Sequence, residues 1–176
     1  RLPDRASHQR GWRKGDVLME ELIAYRQNLL TSLEEVVAEL RQAAAAIPAA
    51  DWHTPPAPNQ LTPHQVLAHL RAIESQAIAV RLRRILDETE PTLPLFDDDG
   101  WMAAHYDPNE PVQPILDDYA SLRQQELSWL QELPSAAWNR TARHPWWGVR
   151  ALQWWVEQCL LVARQHLEQL APAGKP

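Results

Sequence analysis

What this sequence lacks narrows its function before any motif is considered. It has one cysteine, Cys159, so no intrachain disulfide can form and a reducing compartment suits the chain. No apolar run reaches the ~20 residues of a membrane span, and no basic, apolar and small-residue signal opens the chain. Basic charge is also in short supply. Lys plus Arg total 17 against 23 Asp plus Glu, a net charge of −6 that argues against a nucleic-acid partner. The period-two alternation of half-buried strands is missing too. These absences predict a soluble, cytoplasmic, all-α protein that engages neither nucleic acid nor membrane.

Phenylalanine is nearly absent, with one residue, whereas tryptophan is abundant at nine. Trp146, Trp147, Trp154 and Trp155 crowd the start of the last predicted helix, where they read first as core or interface anchors and second as a stacking platform. An apolar patch built from some of them would be covered by a second subunit, which predicts a symmetric homodimer.

At 176 residues the chain can bury one good core but not two full domains. Residues 1–16 stand apart: five Arg and Lys against two Asp give a local +3, against −9 for the rest, and no apolar period is sustained there. They read as a basic leader or docked arm, with Met19 as an alternative natural start and 17–172 as the folded domain.

From residue 17 onward the periodicity is helical. Leu18, Leu22, Tyr25, Leu29, Leu33, Val36, Leu40, Ala43 and Ile47 form the stripe of a long first helix that Pro48 ends. Thr62 and Pro63 supply an N-cap and a first helical residue for a second helix running to about Glu88. Its inward stripe reads Val66, Leu70, Ile73, Ala77, Val80 and Arg84, with His69 and Glu74 on the margins. Residues 91–111 form a long irregular crossover. Leu116, Tyr119, Leu122, Leu127, Leu130 and Leu133 mark a third helix, stopped by Pro134. A fourth, over 148–170, carries Leu152, Trp155, Cys159, Val162, His166 and Leu170 on one stripe.

His69 and His166 therefore both point inward, from different helices. His69 lies about 9 Å along its helix and His166 about 26 Å along the last, at 1.5 Å per residue. In a simple up-down-up-down bundle the two rings would be about 17 Å apart along the axis. A crossover long enough to travel the bundle's length allows up-down-down-up instead, and the rings can then meet. An inward histidine in a bundle is more often a hydrogen-bonded core residue than a metal ligand. Cys159 reads as apolar packing, and Arg81, Arg83 and Arg84 as surface partners of nearby acids. Asp97, Asp98 and Asp99 read as a solvated run, while His64, His105 and His144 fall at a helix start or in loops.

Three local patterns carry a resemblance: residues 61–70 (LTPHQVLAHL) with Glu74 after them, residues 119–123 (YASLR), and residues 148–152 (GVRAL) leading to His166 and 167–170 (LEQL). In that order and spacing the chain resembles the DinB-like superfamily, also called YfiT-like metal-dependent hydrolases. The resemblance implies a four-helix bundle of up-down-down-up topology, in many members dimeric. It also implies a divalent metal such as zinc or nickel, and chemistry on low-molecular-weight thiols such as mycothiol or bacillithiol. Its metal ligands are one histidine on helix 2 and two on helix 4, four residues apart. His69 matches the first and His166 the last, but the position between them is Val162, which binds no metal. The resemblance thus implies an incomplete triad, with Glu74, Trp155, Gln158, Cys159 and Val162 as pocket candidates. Two functions follow: a bundle with a degenerate metal site and a small-molecule pocket or dimer role, or a metal-dependent thiol transferase or hydrolase.

Overall fold

The computed structural model describes residues 14–170. Most of the basic leader lies outside this range, and its last three residues already belong to α1 (Lys14–Ala45). The second bundle helix is α2 (Pro63–Ile73), a π turn (Glu74–Ile78) and α3 (Ala79–Asp87) in unbroken succession. Then come α4 (Asp98–His105), α5 (Val112–Gln131), a hairpin of β1 (Thr141–His144) and β2 (Gly148–Ala151), and α6 (Leu152–Leu170). No helix among the described residues is long and apolar enough to cross a membrane.

Two core clusters set the helix directions. Leu29 and Leu33 of α1 pack with Leu82 and Ile85 of α3, Leu127 and Leu130 late in α5, and Leu152 and Trp155 early in α6. Leu40 and Ala44, farther along α1, pack with Val66 and Leu70 of α2, Ile115 and Tyr119 early in α5, and Leu170 at the end of α6. Helices α1 and α6 therefore run one way and the α2–α3 helix and α5 the other. The bundle is up-down-down-up, and the crossover returns the chain to the end where α2 began.

Local chemistry explains the starts and stops. Thr62 and Gln65 form a reciprocal capping box, with Thr62 Oγ1 accepting the Gln65 amide at 3.2 Å and Gln65 Oε1 accepting the Thr62 amide at 2.9 Å. Pro63 occupies the first turn, where a missing N–H costs nothing. The crossover is less irregular than its composition predicts, because Asp97 accepts the Gly100 amide at 3.0 Å and starts α4. A Cβ at position 100 would displace that carboxylate from its capping position.

Two sequence expectations fail, one before α6 and one at the start of α1. Residues 148–151 are not its first turn but β2, pairing Thr141 with Ala151 and His144 with Gly148. The two strands are four residues each, too short for a readable alternation, and Gly148 turns the chain at φ +67°. At the start of α1, Leu18 and Tyr25 are exposed and Arg26 is buried instead, its Nε donating to Gln153 Oε1 at 3.0 Å.

The π turn accounts for the third failure. Its extra residue rotates everything downstream by about 100°, so the inward stripe becomes Ile78, Leu82 and Ile85. Val80 is exposed, and Arg84 pairs with Glu88 at the surface. Glu74 faces fully inward, where Arg123 Nη2 lies 2.8 Å from its Oε1 and Arg123 Nη1 lies 3.3 Å from Glu126 Oε2. All three side chains are buried, and neither carboxylate receives a well-aligned hydrogen bond.

One guanidinium cannot neutralise two buried carboxylates. Burial, and then the Glu74 charge, push the Glu126 carboxyl up to about 10 against the pull of Arg123, so Glu126 carries a proton at neutral pH. In the unfolded chain the same group ionises near 4.5. The folded state therefore holds a proton that the unfolded state releases, and stability falls as pH rises from about 4.5 towards 10. Glu126→Gln keeps the neutral, donating shape without the titration. Its stability relative to the parent should climb with pH, by up to about tenfold in the folding constant per unit, in urea titrations between pH 6 and 9. Parallel pH profiles for the two proteins would place the proton elsewhere.

Candidate functional site

His69 and His166 meet. His166 is buried on α6, and its Nε2 lies 3.1 Å from Nδ1 of His69 on α2, with ring centroids 5.1 Å apart. His166 Nδ1 donates to the Val162 carbonyl oxygen at 2.8 Å, so a neutral His166 presents the lone pair of Nε2 to its neighbour. His69 Nε2 lies 3.0 Å from Asp98 Oδ2 in the first turn of α4. If Asp98 is ionised, Nε2 bears the proton, and a neutral His69 would face His166 lone pair to lone pair. A second proton on His69, or a shared cation, relieves that opposition. Burial holds His166 below the ordinary imidazole range, the neighbouring His69 adding to the effect and the Val162 carbonyl opposing it.

Asp98 was not singled out from the acidic run, although Asp97 as an N-cap and Gly100 three residues on could have signalled the helix that delivers it. Its contact is the orienting carboxylate–histidine arrangement found around metal ligands. The ligand set is nonetheless short. A catalytic zinc takes three protein ligands and an open position, and among the described residues no third His, Cys, Asp or Glu joins the pair. Val162, one turn before His166, contributes an apolar side chain. The residues present do not complete a three-ligand centre.

Beside this pair lies a cavity of about 380 Å³, within the range of small-molecule sites. Its wall includes Asp98 and Val162, the groups that hold the two imidazoles from outside. Trp155, Gln158 and Cys159 also line it, whereas Glu74 does not and belongs to the Arg123 cluster. The Cys159 thiol donates to the Trp155 carbonyl, and burial pushes it well above the usual thiol range, so it packs rather than reacts.

The hairpin supplies the opposite wall. His144 stacks on Trp147 with centroids 4.2 Å apart, and Arg81 of α3 lies over Trp147 and Trp155 at 5.4 and 5.7 Å. Arg81 thus departs from the surface pairing expected of it, which Arg83 and Arg84 do adopt, with Asp87 and Glu88. Burial, then Arg81, keep His144 below the ordinary imidazole range and hence neutral. His64 is structural, donating from Nε2 to the Glu110 carbonyl and accepting the Tyr106 hydroxyl at Nδ1, both at 2.8 Å. His105 is exposed at the end of α4, stacked on Trp101.

The sequence model of the DinB superfamily matches residues 32–170. The chain belongs to the DinB superfamily. Among solved structures it is similar to YfiT from Bacillus subtilis, described as a probable metal-dependent hydrolase with an unusual four-helix bundle topology. The TM-score is 0.72 at 19% identity, covering 97% of this chain and 89% of that one. No curated protein matches the chain significantly. At that identity the structural likeness speaks for the fold.

Position 162 lies one turn before His166 on the same helix face. Val162→His should add a third imidazole beside the pair and raise zinc affinity by orders of magnitude in calorimetry. Added zinc should then raise the melting temperature, while the metal-free variant melts below the parent because a polar ring replaces an apolar contact. Zinc binding no better than the parent's would mean that His69 and His166 pair for packing alone.

Proposed function

We propose that this chain is a small-molecule-binding member of the DinB superfamily whose metal site is degenerate, and that the cavity beside Asp98 and Val162 is where its ligand sits. One observation carries this reading: at the position of the missing ligand, an apolar side chain forms part of a 380 Å³ cavity wall instead of a metal corner. In this reading the Asp98, His69 and His166 chain does two things. It ties α4, α2 and α6 together at one end of the cavity, and it offers imidazole nitrogens between which a proton can move.

A second reading, a metal-dependent thiol transferase or hydrolase, is favoured by the Asp98 carboxylate on His69 Nε2, which would orient Nδ1 as a ligand. In that case His69 and His166 would be the protein's share of a zinc or nickel site, and a low-molecular-weight thiol a fitting cosubstrate. Elemental analysis of protein purified without a histidine tag separates the two. Well under one equivalent of zinc or nickel per chain is expected, and a stoichiometric metal would move the assignment to the enzyme.

A symmetric homodimer belongs to the same proposal. Trp138 and Trp155 are buried, but Trp146 is 72% exposed and Trp147 is exposed beside it, and Val17, Leu18, Met19 and Ile23 on the first turns of α1 form a second exposed apolar stretch. Light scattering at micromolar concentration should report twice the chain mass, and Leu18→Glu should shift it towards the monomer. A parent of monomer mass would remove the dimer.

A further inference from the structure

The cavity wall is unbalanced in its hydrogen bonding. His144 is 1% exposed and Trp155 3%. His144 Nδ1 accepts the Trp146 amide at 3.2 Å, which leaves the proton of the neutral ring on Nε2. That Nε2–H and the Trp155 indole Nε1–H are both buried with no partner. Among the described residues, every other buried side-chain polar atom without a hydrogen bond belongs to Glu74, Arg123 or Glu126, whose opposite charges lie against one another. Nothing comparable compensates His144 and Trp155.

Arg81 adds a third donor to the same wall, packed over two indoles with no ion pair among the described residues. The carboxylate that shares the lining, Asp98, is already engaged, through Oδ2 with His69 and through Oδ1 with the Asp99 amide. Gln158 and Gln165 can donate or accept. The cavity therefore presents one cation without a counter-charge, Arg81, and the two unpartnered N–H groups are sealed within its aromatic wall. A cation held against apolar and aromatic side chains without a counter-charge gains most from an anion beside it, and here a bound molecule can provide one.

We infer that the cavity takes a small organic monoanion, a carboxylate on an apolar or aromatic body. Its oxygens accept from Arg81, while the body lies along Leu82, Phe96, Trp147 and Val162. The inference rests on the reading of this cavity as a ligand site and names the ligand's class. A planar carboxylate suits a single guanidinium laid over indole rings, because the guanidinium can bind it through two parallel N–H groups. A phosphate dianion does not, because Arg81 is the one cation in the described lining and Asp98 opposes a second negative charge.

Calorimetry on the full chain tests this with two matched pairs, 3-phenylpropionate against 3-phenylpropionamide and octanoate against octanamide, and with inorganic phosphate. One equivalent of at least one acid should bind, tenfold or more tighter than its amide, and phosphate should give no heat. Arg81→Met should weaken the acid to the level of its amide while leaving the amide unchanged, and Arg81→Lys should retain most of the preference. The acid–amide contrast is read on the unaltered chain, so it does not depend on either variant folding. Acid and amide binding equally would overturn the anion assignment and leave the ligand-site reading standing. Phosphate binding more tightly than either acid would overturn the carboxylate in favour of an inorganic anion. Silence from all five probes would overturn the anion assignment and the ligand-site reading together.

Discussion

The interior of this bundle is organised around one guanidinium. Arg123 reaches from α5 to Glu74 on the facing helix and to Glu126 one turn along its own, and all three are buried. A buried ion pair is weak evidence for stability, since desolvation offsets much of the attraction, yet removing one partner strands the other. The cluster therefore acts less as a source of stability than as a constraint. Glu74 must face the core, and an α-helix with His69 turned towards α6 does not place it there unaided, since five residues carry it about 140° around the axis. Pairing with α5 rather than α6 is the solution, and the π turn begins at the residue that makes the pair.

That turn has consequences for the site twelve residues from where the helix meets His166. In an uninterrupted helix Arg81 would lie about 120° around from His69; with one residue taken up by the π turn the angle falls to about 20°. On α6, Trp155 and Cys159 lie within about 20° of His166 by the same arithmetic. Two continuous faces thus oppose each other, His69 to Arg81 on one helix and His166 to Trp155 on the other. The cavity occupies the space between them. Without the π turn, Val80 would stand nearer the cavity and Arg81 would join Arg83 at the surface, where its charge would be screened by water and acids.

Much of this was legible in the sequence, for identifiable reasons. Thr62 and Pro63 have one physical use at that spacing, and the α6 stripe from Leu152 to Leu170 is periodic enough to place His166 without coordinates. The meeting of His69 and His166 followed from crossover length and the family's topology. What was not legible depended on register and on partners distant in the chain. A π turn leaves no mark in residue type, so Val80 and Arg84 were placed inward in error. Nothing in the sequence marks Arg123 and Glu126 as buried, because a buried charge is recognisable only once its counter-charge on another helix is known. Asp98 was hidden among three adjacent aspartates of which one caps, one binds and one is solvated. The hairpin was too short for its alternation to register, yet it delivers His144 and Trp147.

Valine at position 162 bears on what the rest of the site can do. Val162 packs against both core clusters, so it joins the two halves of the bundle at the level of the histidines. A third imidazole there would have to be satisfied by an ion or left unpaired in an apolar seam. Valine removes that requirement, and the two remaining rings are held without a metal, His166 by the Val162 carbonyl and His69 by Asp98. One nitrogen of each ring is thus occupied, the other two face each other at 3.1 Å, and the cation without a counter-charge, Arg81, lies farther along the cavity. The one cation of the described lining, Arg81, thus lies against the aromatic wall to which the hairpin contributes, apart from the histidine pair between α2 and α6.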